Sequence, residues 1–116
     1  MNDLQTAWNR LEELIKRRFN APAKPEALFF LVGMREMGLA PRAFSKQEKT
    51  DLMHVGLCTL LEPYGYYRKT GRDDDGWPHW ELVRPLPHMD FFGQSAFVRE
   101  ILVEYFKKIW PQIVEP

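Results

Sequence analysis

Apolar positions recur with helical spacing in four segments of the chain and alternate in a strand-like way in one. Leu4, Ala7, Trp8, Leu11, Leu14, Ile15 and Phe19 fall three and four apart, so the spacing predicts a helix from about Leu4 to Phe19. Asn2 or Asp3 can cap its start, and Glu12 with Lys16 and Glu13 with Arg17 form favourable pairs four apart on its polar face. The segment NAPAKP ends it. A second helix is predicted from Pro25, a residue suited to a first helical position, to Gly38, which can take the left-handed conformation that closes a helix. Leu39 is then expected to fold back on Met34. The nearly unbroken apolar run ALFFLVGM marks this helix as the most buried element.

A third helix opens at SKQE, where Ser45 and Glu48 have the spacing of a capping box, and runs to about Glu62, before Pro63. Gly56 inside it weakens the helix by about 1 kcal/mol relative to Ala, which suggests close approach by a neighbour. The last helix runs from about Phe91 or Gln94 to Trp110, with Phe97, Val98, Ile101, Leu102, Tyr105, Phe106 and Ile109 on one face. Glu104 and Lys108 are expected to pair opposite, and Pro111 to end it.

Between the third and last helices the pattern changes. YGYYRK and HWELVR are rich in aromatic and β-branched residues, and TGRDDDGWP between them has Gly near each end. This reads as an antiparallel hairpin. Trp80 and Leu82 alternate on the face expected to pack on the helices, with His79, Glu81 and Val83 on the other. RPLPHMD then connects to the last helix. The fold class expected is α+β, mainly helical: three helices, a hairpin and a long C-terminal helix in a single globular domain over residues 1–116.

Sixteen basic and sixteen acidic side chains cancel. A zero net charge supplies no general attraction to nucleic acid or to an anionic membrane. One cysteine, Cys58, rules out an intramolecular disulfide and a cysteine-rich zinc site. The opening segment is patterned and charged, and ALFFLVGM is far shorter than the ~20 apolar residues that span a bilayer. A cytoplasmic protein with no membrane contact is expected. Aromatic residues make up 14% of the chain, and five of its eight Tyr and Trp residues lie between Tyr64 and Trp80.

Four kinds of chemistry fit parts of this pattern. Three helices followed by a hairpin resemble the element order of a winged helix over residues 1–85. Such a reader needs a polar recognition helix, and the third helix is mostly apolar. Six basic residues between Arg42 and Asp75 are matched by six acidic ones, three of them at the hairpin tip where a wing would meet phosphate. The run RDDDG has carboxylates but no EF-hand spacing, and His54, His79, His88 and Glu81 would need the fold to assemble them around a metal. Asp51, His54 and Cys58 share a helical stripe, the minimum for an activated thiol, but a buried structural cysteine fits the same pattern.

The fourth is an aromatic interaction surface formed by Tyr64, Tyr66, Tyr67, Trp77 and Trp80, with Arg68, Lys69, Arg72, His79 and Glu81 as polar anchors. Phosphate-loop, dinucleotide, nucleophile-elbow and paired-His metalloprotease motifs are absent from the sequence. The expectation is a non-catalytic protein-interaction module without a cofactor, whose partner is another protein or a second copy through the hairpin or the last helix. The alternatives are a winged-helix-like nucleic-acid binder and a small-ligand or enzymatic site near the hairpin aromatics with His79 and Glu81.

Overall fold

The computed structural model describes residues 3–86 and 96–115. The order is α1 (Asp3–Phe19), α2 (Pro25–Met37), α3 (Lys46–Leu61), a 3₁₀ turn (Glu62–Tyr64), β1 (Tyr67–Arg72), β2 (Pro78–Leu82), α4 (Ala96–Phe106) and a second 3₁₀ turn (Pro111–Ile113). The fold is α+β and mainly helical, with the expected order of elements. Two compact units are distinguished: Met1–Pro25 with Met89–Pro116, and Glu26–His88.

In the first unit α1 packs on α4 and on the second 3₁₀ turn. Trp8, Leu11 and Ile15 are buried from α1, and Val98, Ile101, Leu102 and Phe106 from α4. The Arg99 guanidinium lies 5.5 Å from the Trp8 ring and donates to Gln5 Oε1 at 2.9 Å. Phe19 was expected on the apolar face but is 48% exposed, because it stands on the last turn, beyond Ile15. The Glu13–Arg17 pair is present at 3.2 Å. α4 ends at Phe106, short of the expected Trp110. Residues 107–109 turn instead, Trp110 N–H bonds the Phe106 carbonyl, and the Trp110 ring stacks on Phe106 at 5.3 Å. Glu104 consequently pairs with Lys107, not Lys108. The expected start of this helix near Phe91 or Gln94 lies outside the described residues.

In the second unit α2 ends as its sequence predicts. Gly38 has φ +67° and Leu39 N–H bonds the Met34 carbonyl at 2.9 Å, the 6→1 bond of a Schellman ending. α2 does not stand apart as the most buried element. α3 and α4 bury comparable sets of side chains. The capping box of α3 is complete: Ser45 Oγ accepts from Glu48 N–H at 3.1 Å, and Glu48 Oε1 accepts from Ser45 N–H at 2.8 Å. α2 and α3 meet through glycine. A Cβ on Gly33 would stand 1.9 Å from the Leu52 carbonyl oxygen, and one on Gly56 would stand 1.9 Å from that of Phe29. The close approach inferred at Gly56 is therefore made by α2.

β1 and β2 pair antiparallel from Tyr67↔Leu82 to Arg72↔Pro78. The register shifts between Lys69 and Gly71, so Thr70 is an extra residue in β1. The strands run closer to the tip than expected. Gly71 and Arg72 are paired, and the loop narrows to residues 73–77. The packed face also shifts. Pro78 is buried and Trp80 half-buried, but Leu82, the last residue of β2, is 51% exposed.

Candidate binding cleft

A cleft of about 550 Å³ lies between α3 and the hairpin, entirely within the second unit. α3 contributes Thr50, Asp51, His54 and Val55. The hairpin contributes Asp73, Trp77, Pro78, His79 and Trp80. The volume falls within the range of about 300–1,000 Å³ usual for small-molecule sites.

The α3 wall follows from helical spacing. Val55 belongs to the buried stripe, while Thr50, Asp51 and His54 lie on the polar side next to it. Gln47 Nε2 donates to Asp51 Oδ1 at 2.9 Å. The His54 ring meets Tyr67 edge-on at 6.2 Å, and its Nε2 lies 3.5 Å from Cys58 Sγ. Cys58 is fully buried, and that burial pushes its thiol up to about 12. Tyr67 is also raised, first by burial and then by Cys58. Burial and the raised pKa both favour the protonated, less nucleophilic form of the Cys58 thiol.

The hairpin wall is organised by Asp73. Its Oδ1 accepts from the backbone N–H of Trp77 at 2.9 Å and of Asp75 at 3.0 Å, and its Oδ2 lies 3.1 Å from His79 Nε2. These bonds, with the Trp77 N–H foremost, hold its carboxyl below the usual range. Asp73 N–H bonds the Trp77 carbonyl, Gly76 turns with φ +85°, and Arg72 Nη1 donates to the Gly76 carbonyl at 2.8 Å. The first aspartate of RDDDG is thus the keystone of the turn. His79 and Trp80 are successive strand residues, yet both reach the cleft. The bulge at Thr70 lies opposite them, and bulges increase local twist. The Lys69 ammonium sits 5.0 Å from the Trp80 ring, and Trp80 Nε1 is buried without a hydrogen-bond partner.

The structure brings Trp77, His79 and Trp80 together at this cleft, with Tyr67 behind His54. The other residues expected at the surface have different partners. Arg68 and Glu81 form a cross-strand ion pair, so Glu81 does not join His79. Arg72 clamps the turn. Arg84 lies 3.8 Å from the Tyr66 ring and donates to the Tyr64 carbonyl at 2.6 Å, holding that pair at the base of the hairpin. Thr50, Val55 and Pro78 were not foreseen as lining residues. Pro78 belongs to the turn segment TGRDDDGWP in the sequence pattern, and nothing in the α3 pattern names its tertiary neighbour. Among the described residues no three His, Cys, Asp or Glu side chains gather as a metal site would require, and His88 lies outside them.

Among the described residues no helix is long and apolar enough to cross a membrane. No protein-family model, no curated protein and no solved structure matches the chain.

Proposed function

We propose that this chain is a non-catalytic protein-interaction module of a reducing, cytoplasmic compartment, and that it engages its partner through the α3–hairpin cleft. The observation that carries this reading is the concentration of half-buried aromatic rings at one concave surface, with Trp77 and Trp80 lining it. Half-buried Trp side chains in a pocket are the usual anchors of protein interfaces. The chemistry around them favours binding over turnover. The thiol on α3 is buried and protonated, and the Asp73 carboxylate already accepts three hydrogen bonds that hold the turn. A nucleic-acid role is disfavoured by the same lining, which includes Asp51 and Asp73 but no Lys or Arg to meet phosphate.

The test is a photo-reactive benzoylphenylalanine placed at position 77, with position 13 on the exposed face of α1 as control. The expected result is a crosslinked polypeptide, either a second copy or another chain, from position 77 alone. Equal yields from both positions would remove the cleft as the contact surface.

A further inference from the structure

The cleft carries a charge pattern that specifies its occupant further. Three of the four tryptophans in the chain already have a cation over the ring. Arg99 lies over Trp8, Lys69 over Trp80 and Arg18 over Trp110, at 5.5, 5.0 and 5.1 Å from the ring centres. Trp77 is the exception among the described residues, and it lines the cleft half-buried. The same cleft presents two carboxylates, Asp51 and Asp73, and no Lys or Arg. The two acids differ in what they can offer. Asp73 has both oxygens occupied by the turn and His79, whereas among the described residues Asp51 accepts only from Gln47, on Oδ1, which leaves Oδ2 open. A ring face without a cation and a carboxylate with an open oxygen, both lining one concave surface, are the two halves of a site for a guanidinium or an ammonium group.

We infer that the α3–hairpin cleft receives an arginine or lysine side chain from a partner polypeptide, with Trp77 as its stacking surface and Asp51 as its counter-charge. This rests on the reading of the cleft as the interaction surface and names the chemistry of what enters it. His79 also lines the cleft and is bonded to Asp73, the residue whose other oxygen holds the Trp77 turn. Arginine fits better than lysine, because its planar guanidinium can stack on an indole while donating to a carboxylate.

The experiment is an amide NMR titration of the ¹⁵N-labelled full chain with two capped peptides. They share the sequence Gly-Ser-X-Ser-Gly, with arginine at X in one and citrulline, its uncharged isostere, in the other. Expected are shifts at Trp77, Asp51 and their neighbours with the arginine peptide, and shifts smaller by roughly tenfold at equal concentration with citrulline. Trp77→Ala and Asp51→Asn should each abolish the arginine response. Both substitutions keep the turn and helix contacts, since Trp77 bonds Asp73 through its backbone and Asn can still accept from Gln47. Matching native spectra would establish that the variants fold. Equal shifts from both peptides at the cleft would overturn the inference about charge and leave the cleft as a binding surface. Shifts spread over unrelated acidic patches, or none at the cleft up to 10 mM peptide, would overturn it as well.

Discussion

Gly33 of α2 and Gly56 of α3 stand back to back, so that a Cβ built on Gly56 would lie 3.1 Å from the Gly33 backbone nitrogen. The obstructing atoms on both sides are backbone, not the movable end of a side chain. Alanine is the better helix former by about 1 kcal/mol, so an exposed helical glycine would gain from the exchange. Here the overpacking wins. Gly33→Ala and Gly56→Ala are each expected to lower unfolding free energy by about 2 kcal/mol or more, measured by urea denaturation. An unchanged or raised midpoint would mean that the helices do not approach so closely.

Trp80 has a buried indole N–H without a hydrogen-bond partner, and such a donor costs about 1–3 kcal/mol. Trp80→Phe removes the donor and keeps an aromatic ring beneath Lys69. It is expected to change stability by less than about 1 kcal/mol, whereas Trp80→Ala loses about 2–3 kcal/mol. A Phe variant as unstable as the Ala variant would show that the indole N–H does have a partner in solution.

Cys58 should be inert to a thiol reagent in the native protein and should react fully once urea unfolds it, because it is completely buried. Burial holds the folded thiol at about 12, above its unfolded value. The stability this contributes is complete below the unfolded value near ~8.5 and is lost as pH rises toward 12. Cys58→Ala should flatten that alkaline fall. Rapid native labelling would contradict the buried placement.

Glu48 titrates in the opposite sense. The Arg42 guanidinium first, and the Ser45 backbone N–H next, hold its carboxyl at about 2. Its contribution is present above the unfolded value near ~4.3 and disappears as pH falls toward 2. Glu48→Gln should remove part of the acid sensitivity of α3, read as a shallower loss of helical circular dichroism between those values. An identical acid profile would show that the capping box does not report on the fold in solution.

The sequence showed most of the fold and only part of the site. Helical periodicity, the Ser45/Glu48 box and Gly38 are local signals, and each names its element within a few residues. Where a local signal competed with tertiary packing, it failed. Apolar spacing carried the last helix to Trp110, but the Trp110 ring stacks on Phe106 and the chain turns after that residue. Strand alternation placed Leu82 against the helices, but the half-buried part of β2 ends at Trp80. Trp77, His79 and Trp80 were legible as a surface because aromatic clustering is visible in one dimension. Asp51 and His54 gain their place opposite them only through the packing of the hairpin on α3, which no spacing encodes. The role of Asp73 was hidden by its neighbours. Three successive aspartates look equivalent until the turn selects one to accept its backbone N–H groups.

If the α3–hairpin cleft takes part of another polypeptide, as proposed, the resulting complex depends on Trp77 and Asp51. Native mass spectrometry of the purified protein beside the Trp77→Ala/Asp51→Asn double variant tests it most directly. The parent is expected to carry added polypeptide mass, from a second copy or a partner chain, and the double variant to appear at the mass of the bare chain. A parent carrying a small-molecule mass, or a complex that survives the double substitution, would contradict it.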